Sequence, residues 1–214
     1  MNRLRIRFKR GPGVKYISHL DIIRVWVRAF RRAGIEIAYS EGFNPRPRLS
    51  LAAPLAIGVT GDAELMDVYI SDTISPHNFT AAVNRQMPAG MEIMNTYQVD
   101  STLPSLQAQV TAAEYAVEVP SGEGPDCIRQ ALTAMLAREQ FPWQHERDTG
   151  IKSYDLRPLI EHMWLESYGE NVAVIGMRLV CGSRGSGRPE QVVKALGLGC
   201  PRSVHRTRLI LKTS

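Results

Sequence analysis

From Leu4 to Phe8, apolar side chains alternate with arginines at 3, 5 and 7, so the first element reads as a half-buried strand with one strongly basic face. The rhythm changes after Ser18. Leu20, Ile23, Trp26, Val27, Phe30 and Ala33 recur at helical spacing until Gly34, and Ser18 with Asp21 three positions on forms a capping box, which together predict one helix over 18–33. A strand over 35–39, extended chain over 49–57 and a strand over 63–70 follow. Ser75-Pro76 then starts a helix carrying Phe79, Val83 and Met87, and 91–99 reads as another strand. The order repeats: strand 113–119, helix 125–137 with Ile128, Leu132 and Leu136, extended segments 141–147 and 152–166, strand 172–180. A helix starting at Arg188-Pro189, with Val192, Val193 and Leu196, leads into a strand over 204–212.

Both halves therefore read β-α-β-β-α-β, the ferredoxin-like order. The expected class is α+β, with two tandem ferredoxin-like (βαββαβ) units built on antiparallel sheets. Residues 1–100 form the basic N-terminal unit, the polar, unpatterned 101–112 the linker, and 113–214 the C-terminal unit. Helices in such a unit cover one sheet face. Arg3, Arg5 and Arg7 are thus expected on the open face, away from the helix stripe, and Arg206 and Arg208 repeat the arrangement on the last strand; either the open faces of the two halves meet and bury part of that surface, or there are two basic surfaces of which only one functions. Neither strand carries the clustered aromatics with which an RNA-recognition-motif sheet stacks bases.

The 214 residues, 44% hydrophobic and 22% charged, suffice for an ordinary core and argue against disorder. Net charge is +5, but its distribution matters more than its size. The first 48 residues hold twelve Lys/Arg against Asp21, Glu36 and Glu41, so the remainder is net −4 and an anionic partner is expected at the N-terminal part, nucleic acid before membrane. Cys127, Cys181 and Cys200 are odd in number and far apart, which supports neither a disulfide framework nor a zinc or iron–sulfur motif. No apolar run has the length of a membrane span, and Met1–Ile6 opens an amphipathic strand rather than a signal peptide. The expectation is a cytoplasmic protein.

The charge collects in two stretches. On the first helix Arg24, Arg28, Arg31 and Arg32 sit at i, i+4, i+7 and i+8 and share a side. In "EGFNPRPRLSLAAPL", 41–55, Pro45 and Pro47 hold Asn44 and Arg46 extended, so Arg46 and Arg48 project to one side about 6 to 7 Å apart, near the spacing of successive phosphates. Phe43 is placed to stack a base and Asn44 to cap or to bond a base edge; the alternative is a stiff connection with Phe43 plugging the core. "YDLRPLI", 154–160, puts Asp155 and Arg157 before Pro158. "GSRGSGRPEQV", 182–192, is a glycine-rich turn entering a helix at Arg188-Pro189, where main-chain N–H groups face a prospective phosphate; it lacks the Gly-Lys-Ser/Thr of a P-loop. For chemistry, His19 beside Ser18 and Asp21 is a candidate proton acceptor, assisted by Tyr16 or Tyr39, in metal-independent RNA cleavage. Asp155 is the second acidic candidate.

The stretch "YISHLDIIRVWVRAFRRAGIEIAYSEGFNPRPRLSLAAPLAIG", 16–58, with its S-H-L-D start, R-A-x-R-R-A-G helix end and G-F-N-P-x-P turn, closely resembles the radical-SAM-linked protein family, the DUF2344 domain. "IKSYDLRPLI", "RPEQVVKALGL" and "HRTRLIL" resemble its later motifs. The resemblance implies a radical-SAM protein as partner and an RNA-related setting. Because this chain lacks the three-cysteine cluster motif, S-adenosylmethionine and the iron–sulfur cluster are expected in the partner and no cofactor in the chain itself. Ser18, His19, Asp21, Gly42, Phe43, Asn44, Pro45, Asp155, Arg157 and Pro158 match the family's motifs, which assign them no chemical role. Three readings follow: a noncatalytic RNA-binding accessory protein contacting phosphates through Arg24, Arg28, Arg31, Arg32, Arg46, Arg48, Arg157 and Arg188; a metal-independent RNA-processing or RNA-modifying enzyme using His19; and a pure protein-docking module.

Overall fold

Alternation makes β1 (Asn2–Arg10) two-sided, and the fold uses the two sides differently. The computed structural model describes residues 1–147, 150–182 and 185–212 and divides into two units, Met1–Val110 and Thr111–Ser214. In the first, β1 lies between β3 (Thr60–Ile70) and β4 (Met91–Val99), both antiparallel to it, and the short β2 (Leu49–Leu51) extends the sheet beyond β3. Leu4 pairs with Val68 and Ile6 with Met66, so these side chains share the face covered by α1 (His19–Arg32) and α2 (Pro76–Asn84). Trp26 and Phe30 of α1 are fully buried there and link edge-on and stacked ring contacts from Phe8 to Phe79, with centroids 5.0 to 5.7 Å apart. Such pairs add about 0.5–1.5 kcal/mol each beyond the area they bury.

The α1 stripe is shifted by one residue from the sequence reading. Ile22, Trp26, Ala29 and Phe30 are buried while Leu20 is 65% exposed, because Ser18 accepts from the Asp21 N–H and fixes the phase of the first turn. The strand expected over 35–39 is reduced to two isolated bridges, Ile37 with Ile70 and Tyr39 with Pro47. After Ala38, whose N–H still donates to the Tyr69 carbonyl of β3, the chain leaves that strand and folds back on itself. The extended stretch over 49–57 is a strand only at Leu49–Leu51.

The open face of the first sheet is not a free basic surface. Arg3 and Arg5 are 3% and 4% exposed and converge on Asp67 of β3: Arg3 donates to Oδ2 at 2.7 and 2.9 Å, and Arg5 to Oδ1 at 2.8 Å. Arg3 also donates to the carbonyls of Leu103 and Pro104, and Arg5 to the Gln109 side chain. The polar 101–112 stretch thus supplies main-chain acceptors to this face and contains α3 (Leu106–Gln109), whose Leu106 is buried. Only Arg7 of the three remains exposed.

In the second unit β5 (Val110–Pro120) lies between β9 (Val172–Gly182) and β11 (Ser203–Leu211); β8 (Ile160–Gly169) and the two-residue β10 (Gly185–Ser186) pair with β9. α4 (Pro125–Leu136) and α5 (Pro189–Ala195) bury Ile128, Leu132, Met135, Val192 and Val193. β6 (Pro142–Arg147) and β7 (Gly150–Asp155) pair separately, and a 3-10 turn at Arg157–Leu159 interrupts the extended stretch expected over 152–166. Arg206 is buried and Arg208 is neutralised, which again corrects the expected basic face: Glu114 on β5 accepts from Arg178 at 2.5 and 2.8 Å and from Arg208 at 2.6 Å. A Cβ at Gly176 of β9 would collide with the Trp164 indole, so the ring of β8 lies flat against this one strand residue. The architecture is mixed α+β with antiparallel sheets and few helices. Among the described residues no helix is long and apolar enough to cross a membrane.

Candidate nucleic-acid interface

The proline-rich stretch forms a hairpin-like hook at the end of β3. The Ala38 N–H donates to the Tyr69 carbonyl (2.8 Å) and the Arg48 N–H to the Ala38 carbonyl (2.7 Å). Further out, the Ser40 N–H donates to the Arg46 carbonyl (2.8 Å) and the Arg46 N–H to Ser40 Oγ (3.0 Å). Residues 41–45 make the tip, where Gly42 at φ +118° adopts a backbone that other residues avoid. Phe43 is 105% exposed: the ring is outside any core and available as a flat apolar surface. Phe43 therefore does not plug the core.

Arg46 and Arg48 flank Pro47 and are both exposed. The Arg48 guanidinium lies 4.3 Å from the centroid of the Tyr69 ring, which holds it in place without neutralising it, and its Nη1 approaches Met1 Sδ at 3.1 Å. Arg46 has no side-chain hydrogen bond or ion pair among the described residues, and the same holds for Arg28, Arg31 and Arg32. The last turn of α1, bearing Arg31 and Arg32, runs through Ile35 and Ile37 to the Ile70 end of β3, where the hook also stands. The hook tip and the helix end thus share one end of the unit. Arg24 is set apart, because it is bound to Asp21 at 2.8 Å.

His19 and Asp21 sit at the opposite end of the 14-residue α1, roughly 20 Å away along its axis. His19 is exposed, and the cavity it borders with Phe8, Arg10 and Glu64 has a volume of only about 10 Å³, room for one water at most. The Ser18 hydroxyl and the Arg24 guanidinium hold the Asp21 carboxyl below the usual aspartate range, which makes it a poor proton acceptor near neutrality.

Two of the remaining candidates are committed within the fold. Asp155 Oδ1 accepts from the N–H groups of Phe141 (2.7 Å) and Arg157 (3.0 Å), closing the turn after β7. Arg157 spends its donors on the carbonyls of Leu136, Arg138 and Ile160. Arg188 is exposed and precedes α5, but that helix has seven residues, a Pro189 without N–H and Glu190 in its first turn, so the phosphate site expected at its start lacks support. Ser183 and Arg184 of the same glycine-rich stretch lie outside the described residues. The three cysteines sit on α4, on β9 and before β11, and no group of three His, Cys, Asp or Glu side chains gathers among the described residues.

Residues 3–189 match the model of a family described as an uncharacterized protein conserved in bacteria. The chain belongs to the DUF2344 family. No curated protein matches it. The DUF2344 chain is similar in fold to solved structures at 11% identity: a Cbf5–Nop10–Gar1 complex, with a TM-score of 0.51 over 97% of this chain, and the archaeal box H/ACA sRNP Nop10–Cbf5 complex, with a TM-score of 0.50 over 98%. It spans about half the length of those chains, 48% in each case. Tyr69, which props Arg48, had no separate signal in the sequence, because a tyrosine in a strand reads as packing.

Proposed function

We propose that this DUF2344 protein is a noncatalytic accessory protein that binds RNA, tRNA or rRNA, in the cytoplasm and presents it for modification or processing by a radical-SAM partner. We read each unit as ferredoxin-like, from the strand orders β2-β3-β1-β4 and β8-β9-β5-β11 with helices between them. The observation that carries the RNA reading is the hook: a fully exposed Phe43 at the tip of the turn, followed by two exposed arginines, Arg46 and Arg48. Pro45 and Pro47 restrict this chain beforehand, so less ordering entropy opposes binding. Arg28, Arg31 and Arg32 extend the positive surface from the adjoining helix. The fold likeness to a component of an sRNP agrees with this reading without carrying it.

The test is fluorescence anisotropy of a labelled single-stranded RNA at several salt concentrations. The wild-type affinity falls steeply with salt, and Arg46→Ala with Arg48→Ala lowers the magnitude of the log–log slope by about 1.4, about 0.7 per lost phosphate contact on a single strand. Phe43→Ala weakens binding by about 1–3 kcal/mol and leaves the slope unchanged. Binding that is absent, or indifferent to salt and to all three side chains, refutes the proposal.

A further inference from the structure

The stretches "YDLRPLI" and "GSRGSGRPEQV" are about thirty residues apart in the chain, yet they line one cleft of about 580 Å³ within the second unit. That volume is in the range of small-molecule sites. One wall is β7 and the turn after it, with Lys152, Tyr154, Asp155 and Leu159; the other is the β10 loop and α5, with Arg188 and Gln191.

The cleft has a distinct polarity. Gln191 is 8% exposed, and its Oε1 accepts from the Tyr154 hydroxyl. This bond fixes the amide, and the Nε2 group is left with no partner among the described residues although the cleft is beside it. Nε2 is not among the sealed-off polar atoms of the fold, so an acceptor entering the cleft can reach it. Asp155 is arranged in the complementary way: both of its main-chain donors use Oδ1, and Oδ2 accepts from none of the described residues. Tyr154, opposite Trp143 in the β6–β7 pair, and Leu159 give the cleft a flat aromatic and an apolar surface. Lys152 and Arg188 stand at its exposed edge, neither of them in an ion pair among the described residues.

We propose that this cleft binds one ribonucleoside monophosphate unit. The heterocycle packs against Tyr154 and Leu159 and accepts from Gln191 Nε2, a ribose hydroxyl or base N–H donates to Asp155 Oδ2, and the phosphate lies between Lys152 and Arg188. An acceptor, a donor, a flat ring and an anion in one molecule describe a nucleotide better than a simple anion, which would meet the Asp155 carboxylate unfavourably. The site belongs to the second unit and does not depend on the hook. Its nucleotide comes either free from solution or as one residue of an RNA strand.

Isothermal titration of the full chain with AMP, GMP, CMP and UMP, with the matching nucleosides, with inorganic phosphate and with tetraribonucleotides tests the proposal. At least one monophosphate or tetranucleotide is expected to saturate the protein, the matching nucleoside and inorganic phosphate to bind at least about tenfold more weakly, and Lys152→Ala with Arg188→Ala to weaken binding at least about tenfold. These two side chains are exposed, so the double variant stays folded even where Gln191→Leu does not. Arg46→Ala with Arg48→Ala leaves monophosphate binding unchanged, which keeps a failure of this site distinct from a failure of the hook. Saturation by monophosphates identifies a free nucleotide as source; saturation by tetranucleotides alone identifies the strand. No saturation by either class, phosphate binding as tight as the nucleotide, or indifference to Lys152 and Arg188 overturns the proposal.

Discussion

Asp67→Ala removes the carboxylate on which two buried arginines depend. Arg3 and Arg5 keep their guanidinium groups in a site where their side chains are 2% and 5% exposed and the Asp67 side chain 1%. Four hydrogen bonds of 2.7 to 3.1 Å are lost with the carboxylate. Removing one member of a buried pair costs about 3–5 kcal/mol, because the desolvated charge left behind is uncompensated. Here two charges are left, and Arg3 retains only its carbonyl acceptors at 100, 103 and 104, so the upper part of that range applies. For a chain of this size that is a fall in melting temperature of roughly 10–20 °C, measured by calorimetry or by urea unfolding followed by circular dichroism. The pair Arg129–Asp126 is the internal comparison. Its contact of 2.6 Å is shorter, but its side chains are 60% and 87% exposed, and Asp126→Ala should leave the midpoint where it was. The reasoning fails if Asp67→Ala shifts the midpoint as little as Asp126→Ala does.

Glu114 gives a pH dependence. Arg208 first, then Arg178, hold its carboxyl below the usual glutamate range against the opposing effect of burial, so the folded pKa is depressed. Its contribution is fully present above the unfolded value of about 4.3 and is lost as pH falls through the folded value; Glu114→Gln should flatten the acid limb of stability against pH and lower stability at pH 7. Gly176→Ala forces the Trp164 ring off β9 and should cost about 1–3 kcal/mol with a red shift of tryptophan emission, whereas an unshifted spectrum would contradict the packing. His19→Ala should leave both RNA affinity and RNA integrity unchanged on incubation without metal; sequenced products that differ between the two proteins would return His19 to the chemistry.

The elements were legible in the sequence where a single periodicity governs them. β1, α1, β3 and β4 fall within a few residues of their predicted bounds, since each has one apolar face and a recognisable cap or turn. The reading failed where the neighbour, not the segment, decides. Residues 35–39 alternate like a strand, but they form only two isolated bridges, because the segment passes from β3, at Ile70, to its own return stretch, at Pro47. Arg3 and Arg5 look solvated in a local window because their partner, Asp67, is more than sixty residues away and their carbonyl acceptors nearly a hundred. Arg157 likewise looked like a phosphate ligand, since a string of letters does not show that the end of α4 leaves carbonyls to be satisfied. The hook was legible because proline stiffness and glycine are local; the exposure of Phe43 was not, because exposure depends on what the rest of the fold leaves uncovered.

Charge in this chain is therefore sorted by the length of the contact that neutralises it. The arginines of the strands, Arg3, Arg5, Arg178 and Arg208, meet a carboxylate across a sheet, where the pleat brings side chains of neighbouring strands within reach. Arg31 and Arg32 at the end of α1, and Arg46 in the hook, have no such carboxylate partner among the described residues, whereas Asp21 holds Arg24 and also feels Arg28. Part of the positive surplus in the first 48 residues is thus neutralised inside the sheet, at Arg3 and Arg5, while Arg31 and Arg32 at the end of α1 and Arg46 and Arg48 in the hook remain exposed, as does Arg7 on β1. A polyanion approaching the first unit meets that remainder, with the Phe43 ring at its tip.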